Sequence, residues 1–459
     1  MAAATGSGEQ WSSRWGFILA AIGFSVGLGN IWRFPFVTGE NGGSAFLIIY
    51  LICALGIGLP LLITELSIGR RGRGSSSGSI IAVATESARS SRWGAVGTLA
   101  AFCVFMILTY YTVISGWTLD YLYRSAGGSF EAINREESQS AFNVLMVSPW
   151  RLIFWNTVVH VCIFFIVRRG VQGGIEKAVK ILMPILFVAL FAMVIYGFLN
   201  GDMKSAAAFL MEPDFSKVSA RTVMAAIGQA FFSIGIGLGA LIAFGAYLPS
   251  EYSIPKSAVG IIFADTGVAM LAGFAIFPLV FAFGLEPSGG SGLTFVTLPV
   301  AFGQMQGGVF FGSLFFILLF AAALSSCIGC AEGVAFWIME KFEVSRGLST
   351  LYTTLAAWMV GLVTIFSLGD WSEFYPLNFI PAMEGMNIYV AIDFVAANIL
   401  LLVGAMLTSV FFGWFVPKKV KIEAIGMADG GLFRFWHVLI RFVIPPVLFV
   451  VLFMGLTGL

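Results

Sequence analysis

Charge is scarce in this chain. Only 11% of its 459 residues are charged while 59% are hydrophobic, whereas a soluble domain carries about 25% charged residues. A water-facing surface cannot be built from that supply, so the composition excludes a soluble globule and specifies a polytopic membrane protein. Histidine is nearly missing: His160 and His437 are the two present, in different apolar stretches. There is no Ser-His-Asp set, no HExxH and no phosphate-cradling loop. GIGLGA resembles a piece of a dinucleotide fingerprint, but it lies inside an apolar run and not after a strand, so an enzyme is disfavoured. The five cysteines, Cys53, Cys103, Cys162, Cys327 and Cys330, all sit in apolar stretches, which argues against an extracellular disulfide framework. Cys327-x-x-Cys330 has no histidine nearby and reads as packing or pocket lining before redox or metal chemistry. A net charge of +1 gives no reason to expect nucleic acid as a partner. The opening MAAATGSGEQWSSR lacks a signal-peptide pattern, so the first span is expected to direct insertion itself.

Long apolar runs are what the chain has in abundance. A helix crossing the hydrocarbon needs about 20 largely apolar residues. On that rule eleven spans are expected, near 15–38, 43–69, 93–123, 150–167, 176–199, 222–247, 257–284, 309–339, 349–368, 388–416 and 434–457. They are too long and too uniformly apolar for barrel strands, so the fold class is an all-α polytopic membrane protein. Sixteen of the 25 basic residues fall in the loops after even-numbered spans, and six in the opposite loops. The positive-inside rule then puts the N-terminus in the cytoplasm, and an odd span count puts the C-terminus outside, in a cell's inner (plasma) membrane. No loop is long enough for a separate soluble domain, so residues 1–459 form a single transmembrane domain.

Two spans are interrupted near their middles, and in the same way. Ser25-Val26-Gly27-Leu28-Gly29 in span 1 is echoed by Ser233-Ile234-Gly235-Ile236-Gly237 in span 6. Five spans run from each break to the end of its half, which predicts inverted repeats at 14–199 and 222–416, followed by a final span at 434–457. Paired glycines each cost a helix ~1 kcal/mol relative to alanine and so favour unwinding. Freed carbonyls and amides must then face an ion, a substrate or a polar cavity, as in transporter sites at the membrane midplane. Close helix packing is the simpler reading of one such pair, because Gly23/Gly27 and Gly235/Gly239 have small-xxx-small spacing. Two matched breaks, one followed by Asn30 and Arg33, weigh towards a site.

Ionisable residues at membrane depth also indicate function. Asp265 lies well inside span 7 and needs a cation, a proton or an arginine beside it. Sodium, a hard cation, prefers oxygen ligands; Asn30, Ser233, freed carbonyls and Asp265 together could supply them. Arg33 and Asp393, near the outer ends of their spans, could face each other across a vestibule as a gate. Glu65 is expected to satisfy amides freed by a broken helix. Ser325 and Ser326 offer hydroxyls on span 8, although such groups usually bond back to their own helix.

The stretches GFILAAIGFSVGLGNIWRFPF…NGGSAFLIIY, YYTVISGW, IGQAFFSIGIGLGALIAFGAYLPS, FVTLPVAF and ALSSCIG resemble those of the neurotransmitter:sodium symporter family, in particular its bacterial eleven-span amino-acid transporters. The resemblance covers almost the whole chain. It implies a LeuT-type fold with a 5+5 inverted repeat and broken helices 1 and 6, and a sodium-coupled symporter that imports a neutral amino acid by alternating access. It implies two sodium sites: the Ser25 carbonyl, Asn30, Ser233 and Asp265 with the substrate carboxylate, and the Gly23, Val26 and Ala322 carbonyls with the Ser325 and Ser326 hydroxyls. The implied substrate pocket comprises Ser25, Gly27, Gly29, Ile107, Tyr111, Phe232, Gly235, Leu238, Ser326, Cys327 and Cys330. Tyr111 would hydrogen-bond the substrate carboxylate and Phe232 would close over it. Arg33 and Asp393, aided by Gln229, match the outer gate.

Departures from the family pattern carry expectations of their own. Asp265 stands where many members have Asn, and Ala269 where chloride-dependent relatives have a chloride-binding Ser. A fixed carboxylate would replace the anion, so no chloride requirement is expected, and proton antiport through Asp265 stays open. SGEQW lacks the usual inner-gate Arg, although Tyr247 and Glu340 occupy its partner positions. Gly235 replaces a Ser and Leu238 a Phe found in relatives, changes that would enlarge the pocket and suit a medium-to-large apolar amino acid. LIIY replaces a stretch that commonly holds Pro, so the bend of span 2 is expected to differ. The partners implied are the amino acid, sodium ions and the lipid bilayer, with the chain a monomer or weak dimer. A small amino acid or amine-like osmolyte as substrate, an amino-acid sensor and a channel-like pore remain alternatives.

Overall fold

The structure is a computed structural model that describes residues 9–286 and 292–457. Among the described residues every regular element is helical. Nine helices among the described residues are long and apolar enough to cross a membrane: Ser44–Gly72, Ser91–Ala126, Pro149–Val167, Val171–Asn200, Ile254–Ala282, Gly308–Phe342, Arg346–Leu368, Ile388–Phe415 and Gly431–Thr457. These are the expected spans 2 to 5 and 7 to 11. Span 1 is the bent pair Arg14–Ser25 and Gly29–Glu40, which meet at 51°. Span 6 is also divided, into Ala220–Ile234 and Ala240–Ala246. Its halves are each too short to cross alone, which is why length and apolarity find nine spans and a tenth bent one.

Span ends follow local chemistry. Ser13 accepts a hydrogen bond from Gly16 N to start span 1. Ser219 and Thr222 form a reciprocal box at the start of span 6, satisfying backbone donors that have no partner within the helix. The break in span 6 is set by alternate glycines: Gly235, Gly237 and Gly239 have φ of +73°, +86° and +68°, a left-handed region that side chains with a Cβ avoid. Span 2 is continuous and takes up its irregularity in a wide π turn, Ala54–Gly58, just before Pro60. A wider turn accommodates a proline that cannot donate to the preceding helix.

Span 8 lies at the centre, with 83% of its most apolar window buried, while the corresponding figure for span 11 is 22%. Spans 3 and 8 pack along each other, and both broken spans run against span 8. The outward faces of the peripheral spans carry exposed Phe154, Ile181, Phe198 and Phe453, as a lipid-facing surface does. The short helix Leu293–Gln304 sets Phe295 edge-on to Trp32 and Trp117, covering the outer half of span 1.

Candidate functional site

Both breaks open onto the same interior, and several of the freed backbone groups find partners there. Leu28 N donates to Tyr111 Oη at 2.8 Å, and Gly27 N to Asn30 Oδ1 at 3.2 Å. Gln229 Nε2 donates to Gly29 O at 2.8 Å. From span 6, Gly237 N donates to Glu65 Oε1 at 2.6 Å, the structural role expected of Glu65. Ser25 Oγ donates to Ile234 O at 3.1 Å and ties one break to the other. Such accounting is what an interrupted helix requires away from water.

Asn30, Ser233 and Asp265 converge as expected. Asn30 Nδ2 lies 2.8 Å from Asp265 Oδ1 and 2.9 Å from Ser233 Oγ, and Ser233 Oγ donates to Asp265 Oδ2 at 2.8 Å. All three are buried. Tyr50 was missed in the sequence: its Oη donates to Asp265 Oδ2 at 3.4 Å. The signal for it is a single tyrosine hydroxyl in an apolar run, in the LIIY stretch where the family pattern is broken. The donor set is one carboxylate with neutral oxygens, hard ligands suited to a monovalent hard cation. Turning the Asn30 amide would present its oxygen to such an ion. Among the described residues no three His, Cys, Asp or Glu side chains gather into a metal cluster.

The second expected set is partly assembled. Ser326 Oγ donates to Phe24 O at 2.9 Å and lies 3.5 Å from Gly23 O. Ser325 Oγ bonds back to Ala322 O at 2.9 Å, and Val26 N caps the first half of span 1 on Ile22 O at 2.6 Å. Span 8 thus brings its hydroxyls against the carbonyl end of that half-helix, where the backbone dipole favours a cation.

Between the breaks lies a cavity of about 30 Å³ lined by Ser25, Gly27, Gly29, Ile107, Tyr111, Phe232, Gly235, Leu238, Ser326 and Cys330, all expected, and also by Phe24 and Leu401. Cys327 is buried in the same helix but does not line it. Both thiols are free. Phe24 corrects one expectation. A Cβ on Gly235 would lie 2.6 Å from the Phe24 ring, and one on Gly329 2.4 Å from it. The room that Gly235 was expected to add is therefore filled by Phe24. A Cβ on Gly27 would lie 2.5 Å from both Ser326 Oγ and Tyr111 Oη, so only glycine fits.

Above this cavity is a second one of about 260 Å³, whose lining includes Trp32, Arg33, Tyr110, Tyr389 and Asp393. Phe232 and Tyr111 line both and form the partition between them. The Arg33 guanidinium stacks 4.5 Å from the Phe232 ring centroid. Arg33 and Asp393 face the same cavity, and among the described residues they make no ion pair with each other.

On the opposite side the chain is closed, but by a different set from that expected. Tyr247 Oη donates to Glu332 Oε1 at 2.7 Å, not to Glu340. Arg346, at the start of span 9, pairs with Glu332 at 2.7 Å and with Glu9 at 2.9 Å. Glu340 instead accepts from Ser75 N at 2.6 Å. With no arginine before Trp11, Glu340 has no guanidinium to meet, and Arg346 reaches Glu332 deeper in span 8. Trp11 seals the layer, with its Nε1 donating to Phe244 O at 3.1 Å and its ring edge-on to Phe244 and Tyr247.

Two discontinuous helices around a buried carboxylate, with a cavity between an outer vestibule and an inner closure, define a membrane transporter. The chain belongs to the sodium:neurotransmitter symporter family, whose model matches residues 8–131 and 136–459. It is 33% identical over 458 residues to the sodium-dependent transporter YhdH of Bacillus subtilis, covering 98% of both chains. It is 28% identical to the sodium-dependent nutrient amino acid transporter 1 of Drosophila virilis, over 79% of this chain and 66% of that one. The crystal structure of MhsT in complex with L-phenylalanine superposes with a TM-score of 0.89 at 38% identity, covering 97% of this chain and 99% of that one. The protein is thus a multi-pass, sodium-dependent transporter of a LeuT-like fold, and not an enzyme.

Proposed function

We propose that the chain couples inward sodium movement to import of a neutral, apolar amino acid. The observation that carries this reading is the cavity enclosed by both breaks. It offers the amides of a divided helix and Tyr111 Oη for a substrate carboxylate, and it adjoins a buried carboxylate–amide–hydroxyl cluster suited to sodium. The phenylalanine bound by MhsT and the amino-acid cargo named for the Drosophila relative support the same substrate class. In this reading Ser25 O, Asn30, Ser233 and Asp265 hold one sodium with the substrate carboxylate. Gly23, Val26, Ala322, Ser325 and Ser326 hold a second. Sodium and substrate draw the two breaks together, Phe232 and Arg33 close above them, and the inner layer at Arg346 then opens. Binding drives this cycle only through its different affinity for the outward and inward states. The chain is organised as inverted repeats at 14–199 and 222–416, the N-terminus is cytoplasmic and the C-terminus outside, and the chain works as a monomer or weak dimer. Asp265, with Ala269 one turn further along span 7, removes the need for chloride.

One observation favours a second reading of the substrate. A cavity of about 30 Å³ has room for roughly one water, so it must widen for any amino acid, and it must widen further, with Phe24 turning away, for a large side chain than for a small one. Reconstituted vesicles with an imposed sodium gradient test the class: sodium-driven, saturable uptake with counterflow is expected, and flux without saturation would mark a channel. Thermal shifts across the amino acids, with and without sodium, identify the cargo, because a ligand stabilises by RT ln(1 + [L]/Kd). If sodium changes neither binding nor uptake of any amino acid, the proposal fails.

A further inference from the structure

At one end of the molecule, away from the cavities, spans 10 and 11 interlock through two irregular turns. Span 10 ends in the π turn Phe411–Phe415, and span 11 contains the π turn Leu439–Val443. A Cβ on Gly413 would lie 3.2 Å from Arg441 Cα, so the two turns touch backbone to backbone. Three of the carbonyls in them are taken by side chains. Ser409 Oγ donates to Ile440 O at 2.5 Å, Trp414 Nε1 to Arg441 O at 2.8 Å, and Lys421 Nζ to Gly413 O at 2.6 Å. Wide turns in spanning helices often mark functional positions, and here they fix the place of one arginine.

Among the described residues that arginine has no counter-ion. The Arg441 guanidinium stacks on Trp414 at 4.3 Å and on Phe442 at 5.1 Å, and its Nε is buried with no hydrogen-bond partner. Lys421, itself buried, has His437 Nε2 at 3.3 Å and Arg441 as a charged neighbour. Burial, and then Arg441, push the Lys421 ammonium down to about 8. Among the described residues the carboxylates of this corner are committed elsewhere: Asp429 to Lys418 at 2.7 Å and Glu423 to Arg71 at 3.1 Å. Three cationic or protonatable groups therefore converge with no acid to balance them. An uncompensated cation in a spanning helix is costly.

The surface beside them is apolar and open. Phe435, Val438, Phe442 and Phe449 are exposed along span 11 at helical spacing, and Trp414 and Phe415 are exposed across from them. We propose that this corner binds an anionic phospholipid of the cytoplasmic leaflet. Its phosphodiester sits against Arg441 and His437, with the buried Lys421 ammonium behind them, and its acyl chain lies along the Phe435–Phe449 stripe. Charge complementarity selects the headgroup and the stripe selects a lipid over a soluble anion. The leaflet follows from the inward orientation proposed above; the chemistry of the site does not depend on it, nor on transport.

The test is native mass spectrometry and thermal unfolding in nanodiscs of phosphatidylcholine alone or with phosphatidylglycerol. Phosphatidylglycerol is expected to remain bound and to raise the midpoint. Arg441→Gln should weaken its binding roughly fivefold, the effect of one cation near an anionic surface, and Arg441→Lys should keep most of it. Lys177→Gln, at an exposed cation on span 5, should leave it unchanged. If Arg441→Gln does not fold, His437→Gln and Arg441→Lys bracket the effect against wild type. Equal stabilisation by phosphatidylcholine, or by inorganic phosphate in detergent, would overturn the lipid assignment. So would a corner covered by a second copy of the chain, seen as a stable dimer that excludes the lipid.

Discussion

Asn30 and Asp265 stand 235 residues apart in the chain, and their side chains meet at 2.8 Å, Nδ2 to Oδ1, in a fully buried setting. The same carboxylate takes hydrogen bonds from Ser233 at 2.8 Å and Tyr50 at 3.4 Å. One negative charge is thus held by neutral donors alone, which is the arrangement a sodium ion can enter without displacing another cation. Asp265→Asn keeps the shape and removes the charge. Its half-saturating sodium concentration is expected to rise by about tenfold or more, equivalent to ~1.4 kcal/mol, and chloride should begin to stimulate uptake. Sodium and chloride titrations of transport check this; unchanged curves would remove Asp265 from the ion site.

The spans were legible because apolar length is a one-dimensional property. The breaks were legible because glycine at Gly27, Gly29, Gly235 and Gly237 acts on its own backbone. Partner choice across the bundle was not. Glu332 and Glu340 lie about two turns apart on span 8, and spacing alone cannot say which one meets Tyr247. The choice is made by where span 9 begins: Ser345 caps it on Leu348 N, so that Arg346 points back at Glu332. Phe24 was hidden for a different reason. A phenylalanine in an apolar run reads as core until Gly235 and Gly329 are seen to leave it room. The wide turns of spans 10 and 11 leave no local signal, because they exist to fit each other.

Gly27 tests the pocket itself. Its missing Cβ is what lets Tyr111 Oη and Ser326 Oγ approach the divided backbone, since either would be 2.5 Å from that atom. Gly27→Leu is expected to abolish substrate binding while the protein still inserts and elutes as a folded species. Binding by scintillation proximity and size-exclusion chromatography, read together, separate the two effects. Normal affinity would reduce Gly27 to a packing residue.

Arg346 tests the inner closure. Removing one member of a buried pair typically costs about 3–5 kcal/mol, because the other charge is left stranded. Arg346→Gln should therefore weaken the closed inner layer, raise labelling of an engineered cysteine behind Trp11 from the cytoplasmic side, and slow sodium-driven accumulation. The geometry allows a sharper control. Glu9→Gln alone should loosen the layer less than Arg346→Gln does, because Arg346 loses the contact at 2.9 Å but keeps Glu332 at 2.7 Å. Glu340→Gln should leave labelling unchanged. Strong labelling of Glu340→Gln with none for Arg346→Gln would return the gate to Glu340.

Phe24 decides how much substrate the cavity admits. Its ring lies in the space beside Gly235 and Gly329, and the cavity it borders is about 30 Å³. Phe24→Ala vacates most of a phenyl ring without touching Asn30, Asp265 or the serines of span 8. If the ring limits size, large apolar amino acids should gain about tenfold in competition for uptake while alanine and glycine lose affinity through lost contact, with one methylene of fit worth ~1–3 kcal/mol. Sodium dependence should be unchanged, since the ion ligands are intact. If wild type already prefers phenylalanine and Phe24→Ala weakens large and small cargo alike, then Phe24 turns aside on binding and packs against the substrate instead of setting its limit. The order of affinities among glycine, alanine, leucine and phenylalanine, measured in both proteins, separates these outcomes.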